Sequence, residues 1–174
     1  MVAAAAVVDP SRTTTGVDDS KKLTARQRRA CYLALVDDLD DWAIGIASAA
    51  EIDRINILQA TRLAMLRAVR GLRAEPDHLL VDGRMELDVP ISQTSLVHGD
   101  ARCQSIAAAS ILAKVVRDTM VAGYARAVRG YGLRRNMGYG TLEHRRALAA
   151  RGPSEFHRRS FRVQRKLPFT DTDI

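Results

Sequence analysis

Apolar positions in this chain switch repeatedly between a period of two and a period of about 3.6, so short strands should alternate with amphipathic helices. Residues 2–8 form a continuous apolar run closed by Asp9-Pro10, which suits an interior strand, although four successive alanines have weak strand preference. Residues 11–19 are polar and Thr-rich and read as a loop. Thr24 with Gln27 three residues on makes a capping box, and Tyr32, Leu35, Val36 and Leu39 then fall on one helical face. Asp37, Asp38, Asp40 and Asp41 crowd the end of that helix, the unfavourable pole of its dipole, and predict a solvated turn rather than a metal cluster. Residues 42–47 read as a strand with Ile44 and Ile46 on one face. Ser48 and Glu51 open a second helix carried by Ile55, Leu58, Met65, Val69 and Leu72.

Strands are predicted over 79–82 and 94–97. A helix starting at Ser105 is lined by Ala107, Ala108, Ala109, Ser110 and Ala113, small enough to let its backbone lie close to a sheet. Gly123 and Gly130 should end that helix and its continuation. Residues 133–137 form a basic loop between two Gly-Tyr-Gly motifs, and Thr141 caps a last helix stopped by Gly152-Pro153. This alternation predicts one α/β domain, for which 174 residues is an ordinary length.

Charge adds a partner class. The 27 Lys and Arg residues outnumber the 20 Asp and Glu, and a net charge of +7 suits a polyanion such as nucleic acid. Cys31 and Cys103 form no Cys-x-x-Cys pair, so neither a zinc ribbon nor a disulfide framework is indicated, and a cytoplasmic location is expected. No apolar run approaches the roughly 20 residues of a membrane span. Residues 1–8 lack the basic start of a signal peptide, and no membrane partner is expected.

Several motifs then follow in a fixed order: Asp19-Ser20-Lys21-Lys22-Leu23, residues 51–61, Val81-Asp82-Gly83, Gly99-Asp100, residues 105–118, Gly138-Tyr139-Gly140-Thr141, and residues 157–161. Taken alone, Asp82 reads as a turn cap as readily as a metal ligand, and Asp118 as a helical partner of Lys114. As an ordered set the motifs resemble the bacterial ribonuclease HII family.

That resemblance implies a ribonuclease H-like α/β fold, a mixed central sheet flanked by helices, with a C-terminal helical segment. It spans residues 1–163, leaving 164–174 as a flexible tail. It implies hydrolysis of the RNA strand of RNA–DNA hybrids, and 5′ to ribonucleotides embedded in duplex DNA. Catalysis would use two divalent ions, Mn2+ or Mg2+, held by carboxylates. Asp82 and Asp118 match two of the family's four carboxylates. Ser20, Lys21, Lys22, Arg158 and Arg159 match phosphate-contacting positions, and Tyr139 matches the tyrosine at the RNA–DNA junction. The family's Asp-Glu-x-Gly-Arg-Gly segment, which carries the other two carboxylates and forms the first central strand, has no counterpart here.

Met1 stands where the family has valine, the pattern left by a start site assigned too far downstream. Activity of the chain as given is therefore expected to be impaired or absent, the alternative being a non-catalytic hybrid-binding remnant. Asn136-Met137 replace a usual His-Lys pair, with Arg134 and Arg135 as substitutes, and His98 replaces a common lysine. Beyond these motifs, Gln164, Leu167 and Phe169 resemble the short peptides by which bacterial replication proteins dock on the sliding clamp. The chain is expected to be monomeric.

Overall fold

The computed structural model describes residues 1–9 and 23–160. In chain order the elements are β1 (Val2–Val7), α1 (Ala25–Asp38), β2 (Asp41–Ile46), α2 (Ala49–Arg70), β3 (Leu79–Asp82), β4 (Gln93–Leu96), a 3-10 turn (Gly99–Ala101), α3 (Gln104–Ala127), α4 (Leu133–Asn136) and α5 (Leu142–Arg151). Ser20, Lys21 and Lys22, with the loop around them, and Gln164, Leu167 and Phe169 lie outside the described residues.

β1 and β2 run antiparallel, with Val2 opposite Ile46 and Val7 opposite Asp41. β3 and β4 run parallel, with Leu79 opposite Gln93 and Asp82 opposite Leu96. The strands expected to share one mixed sheet thus stand, among the described residues, as two two-stranded sheets, and β1 is not bonded to β3.

Tertiary contact holds the alanine-rich β1 in place. Ala3 packs toward α2 with Ile52, Ala60 and Ala64, while Ala4 and Ala6 pack toward the cluster of Leu35, Ala108, Ile111 and Leu112 built by α1 and α3. Helices therefore cover both faces, and a strand buried on both faces needs no polar alternation. Leu35, Ile111 and Leu112 are fully buried, each contributing roughly 1.5–3 kcal/mol relative to exposure. The small-residue helix behaves as expected: Ala107 and Ala108 are buried, and α3 lies against β1.

Both capping boxes form, Thr24 with Gln27 and Ser48 with Glu51. Four local expectations are corrected. Asp41 is not in a solvated turn: it begins β2, is 9% exposed, and its carboxylate accepts the main-chain N–H of Arg73 at 2.6 Å and the Arg73 guanidinium at 3.2 Å. The second helix is broken at Asn56, whose φ of 64° is left-handed and whose Oδ1 accepts the N–H groups of Leu58 and Gln59 at 2.9 and 3.1 Å. Asn56 thus caps a second helical segment within α2, a role its side chain fills well.

Gly123 does not end the third helix, which continues to Ala127. An interior glycine costs only about 1 kcal/mol against alanine, less than a well-packed helix supplies. The basic loop, finally, contains a helical turn, α4, entered through Gly132 at φ +67° and left through Met137 at φ 48°.

The C-terminal part is tied back onto α3 and α2. Tyr124 stacks on Phe156 with ring centroids 4.2 Å apart. The buried His144 bonds the Tyr131 carbonyl through Nδ1 at 3.0 Å and stacks on His157 at 5.2 Å. Asp53 of α2 accepts the main-chain N–H groups of Arg159 and Ser160 at 2.8 and 2.9 Å and the Ser160 hydroxyl at 2.6 Å. Those bonds, led by the Ser160 hydroxyl, hold the Asp53 carboxyl below its usual range.

Candidate functional site

Asp82 is the last residue of β3, and Gly83 follows with φ +98°, a turn conformation that favours glycine. The strand therefore ends abruptly and leaves the Asp82 carboxylate exposed at the sheet rim. Its Oδ1 accepts the N–H of Gly99 at 3.0 Å, which fastens the rim to the 3-10 turn. A Cβ at Gly99 would lie 2.5 Å from the Ile106 Cδ1 and 3.3 Å from that same Oδ1, so the approach depends on the missing side chain.

Asp118 lies in the C-terminal half of α3 and is surrounded by cations. Lys114 Nζ, one turn back, is 2.9 Å from its carboxylate, the Arg117 guanidinium is 2.9 Å away, and the Arg28 guanidinium of α1 is 4.0 Å away. Tyr139 completes the group. Its hydroxyl accepts from Lys114 at 3.1 Å, and its ring carries Lys114 at 5.0 Å and Arg117 at 4.6 Å from the centroid. Cations over a ring face are attracted by its quadrupole, which fixes the ring while leaving it 53% exposed.

The loop that carries Tyr139 is held by Asn136, 6% exposed, which donates to the Tyr131 carbonyl at 2.8 Å and accepts the Gly138 N–H at 2.8 Å. The departure at Asn136 is therefore a structural support. Arg135, proposed as a substitute cation, pairs instead with Glu143. Arg158 lies near Arg117. Burial, and then the Arg117 charge, hold its guanidinium below its usual pKa, with Asp53 opposing. Arg159 contributes its main-chain N–H to Asp53 and leaves its side chain exposed.

The structure thus brings Asp118, Tyr139 and the neighbourhood of Arg158 together, and places Asp82 at the rim against Gly99. Arg28 and Arg117 were missed by sequence reasoning. Arg117 carries a signal, since it directly precedes Asp118 and follows Lys114 by three residues on one helix. Arg28 carries none, because only the packing of α1 against α3 brings it near.

Carboxylate oxygens suit a hard divalent cation. Among the described residues, however, no group of three or more His, Cys, Asp or Glu side chains is placed to hold a metal. Asp118 is already opposed by three cations, and Asp82 already accepts the Gly99 N–H. What the cluster offers without help is positive charge beside an exposed aromatic face, a combination that receives a phosphodiester backbone and a sugar or base.

An α/β domain with a carboxylate at a strand end and a carboxylate among cations on a helix beside an exposed tyrosine is the class that these observations define. The family model for ribonuclease HII matches residues 1–164. The chain is 49% identical over 170 residues to the ribonuclease HII of Paracoccus denitrificans, covering 96% of this chain and 80% of that protein. It is 51% identical over 161 residues to the ribonuclease HII of Xanthobacter autotrophicus, covering 92% of this chain and 64% of that protein. This chain belongs to the ribonuclease HII family.

Solved structures agree on the fold. The ribonuclease H2 of Pyrococcus horikoshii superposes with a TM-score of 0.73 at 23% identity, covering 94% of this chain and 95% of that one. The RNase HII of Archaeoglobus fulgidus, solved in complex with PCNA, gives 0.69 at 20% identity, covering 94% and 87%. Bst-RNase HIII in complex with Mn2+ gives 0.65 at 21% identity, covering 93% and 62%. No helix among the described residues is long and apolar enough to cross a membrane.

Proposed function

We propose that this chain acts on nucleic acid as a ribonuclease HII, cutting the RNA strand of RNA–DNA hybrids and 5′ to single ribonucleotides in duplex DNA. The observation that carries the reading is the cluster of Lys114, Arg117 and Tyr139 around Asp118. It presents an aromatic platform and two phosphate-seeking cations beside a carboxylate, in a chain whose family is established over residues 1–164. Tyr139 stacks under the sugar at the RNA–DNA junction, where the 2′-OH is the group to be recognised. Arg158 and Arg159, with Ser20, Lys21 and Lys22, position the backbone.

Asp82 and Asp118 are the residues to hold a divalent cation, and the Mn2+-bound neighbour supports a divalent ion as the cofactor. Such an ion activates water and stabilises the departing oxygen. The second reading is a non-catalytic hybrid binder, a role that the cations over the exposed Tyr139 ring also serve. Docking on a sliding clamp is a further proposal, which the PCNA complex of the Archaeoglobus relative supports; the monomeric state and the contact through Gln164, Leu167 and Phe169 are proposed with it.

The test uses a duplex with one embedded ribonucleotide and an all-DNA control, with binding read without metal and nicking read with Mn2+. Preferential binding of the ribonucleotide duplex is expected. Metal-dependent nicking 5′ to the ribonucleotide supports the first reading, binding without nicking supports the second, and equal affinity for both duplexes would overturn both. In a form extended by an Asp-Glu-x-Gly-Arg-Gly segment, Asp82→Asn should abolish metal-dependent nicking while metal-free binding survives. The side chain keeps its shape but loses the charge that holds an ion.

A further inference from the structure

The rim of β3 has a second side. Leu79 and Val81 pack with Met65 and Val69 of α2, so by the period of two along a strand Asp82 points away from that helix. Against α2, next to the rim, lies a separate recess of about 370 Å3, lined by Arg62, Gly83, Arg84, Glu86, Ser95 and Val97. Arg62 is carried by α2 and Arg84 by the bend that follows β3, and both residues are exposed. Among the described residues no carboxylate stands within ion-pairing distance of either guanidinium. A Cβ at Gly83 would meet nothing within 4 Å, so the backbone between Asp82 and Arg84 is open to a ligand.

The lining selects among ligands. Val97 is the one apolar side chain in it, too little to anchor a peptide or an apolar small molecule, each of which needs a buried hydrophobic contact. Ser95 donates its hydroxyl proton to the Met85 carbonyl at 2.6 Å and has no donor left for an anion. Donors therefore come from the two guanidiniums, whose planar forks match the paired oxygens of a phosphate. Glu86 opposes them with one charge against two. Position narrows the source of the phosphate. Arg84 is two residues past Asp82, at most about 7.6 Å of chain, and a nucleic-acid strand carries one phosphate per about 3.4 Å of axis. A duplex lying on the Asp82 rim thus sets a phosphate about two steps further on beside this recess.

We propose that Arg62 and Arg84 form a phosphate subsite, which grips one backbone phosphate of the duplex about two nucleotides from the Asp82 rim. It contributes affinity and orientation without reading the sugar, as phosphate contacts do. The proposal rests on the nucleic-acid reading and extends it, since this subsite and the Asp118 cluster lie on different helices and hold the duplex at two points.

The experiment measures binding of the full chain to the ribonucleotide duplex and to the all-DNA duplex by fluorescence anisotropy, without metal, over a series of salt concentrations. Arg62→Gln/Arg84→Gln should bind both duplexes about tenfold more weakly, with the slope of log affinity against log salt reduced by about one and the ratio between the duplexes as in the parent. Arg62→Lys/Arg84→Lys keeps the charge and should keep the slope. Glu86→Gln should tighten binding of both. Neutral methylphosphonate links, placed one at a time along the duplex, locate the contact: one link that weakens binding to the parent should have no effect on the Gln variant.

An unchanged salt slope in the Gln variant, a loss confined to the ribonucleotide duplex, weaker binding by Glu86→Gln, or equal effects of every link on parent and variant would overturn the subsite and leave the nucleic-acid reading standing. Failure of the parent to bind either duplex would overturn both. Saturable binding of inorganic phosphate that shifts the Gly83 amide resonance, with duplex affinity equal in parent and variant, would assign the recess to free phosphate and overturn the subsite as well.

Discussion

Replacing Gly45 by alanine sets backbone propensity against packing, and the two predict opposite signs. Gly45 lies in β2 with a backbone that any residue adopts, since it is not among the residues at positive φ. A Gly→Ala change at such a position ordinarily stabilises by about 0.4–1 kcal/mol through the unfolded chain. Here the added Cβ would lie 1.8 Å from the carbonyl oxygen of Ala64 and 2.5 Å from the main-chain nitrogen of Ala68. Contacts of a real Cβ stay beyond 3.0 Å, so α2 must retreat by about 1.2 Å. Both obstacles are backbone, and no rotamer change relieves them.

That retreat loosens Ala60, Ala64 and Ala68, all fully buried. Overpacking of this kind costs roughly 1–3 kcal/mol, and the loosened helix brings the expected loss to the upper end of that range. In a chain of this size the melting temperature should fall by about 5–12 °C. Urea unfolding followed by far-UV circular dichroism checks it through a lower midpoint at unchanged slope. An added Ala64→Gly substitution should not rescue the variant, because the clash is with the carbonyl and not with the methyl. Stability equal to or above that of the parent would refute the packing argument.

Further outcomes follow from single sites. Tyr139→Phe should leave affinity for a ribonucleotide-bearing duplex nearly unchanged because the ring still carries Arg117, whereas Tyr139→Ala should weaken it by roughly three- to thirtyfold; equal losses in fluorescence anisotropy would assign the effect to the hydroxyl that Lys114 bonds. His157 has its pKa lowered by burial and then by His144, so the unfolded chain takes up the proton first. Its contribution is therefore full above about pH 6.5 and declines as the pH falls below it. His157→Gln should flatten the urea midpoint against pH in that window, and an unchanged slope would remove the assignment.

Glu51, bonded by Arg67, then by the Ser48 N–H and hydroxyl, has its pKa lowered from 4.5 to about 2. Its contribution is present above pH 4.5 and lost as the pH falls toward 2. Glu51→Gln should make acid unfolding less steep over that interval, and an identical acid limb would refute the role.

Local signals carried most of the elements. Thr24 with Gln27 and Ser48 with Glu51 set helix starts, and Gly152 set a helix end, because capping is decided within a few residues. The apolar run before Asp82 gave β3 its bounds, and the alanines after Ser105 gave α3 its sheet-facing side. The same local reading failed at Asn56, where a residue with a competing bond to its own backbone broke an otherwise unbroken period. It failed again at Gly123, where packing outweighed a glycine.

By itself the sequence determined the family, the two candidate carboxylates and the exposed tyrosine, because ordered motifs and strand-end positions are properties of the chain read in one dimension. Tertiary structure alone decided three things. It put Arg28 of α1 beside Asp118 of α3, turning a helical ion pair into a cationic cluster. It made Asp41 a buried anchor for Arg73, where charge and position had suggested a solvated turn. It also paired β1 with β2 and β3 with β4 among the described residues, since no local pattern encodes which strand edges meet.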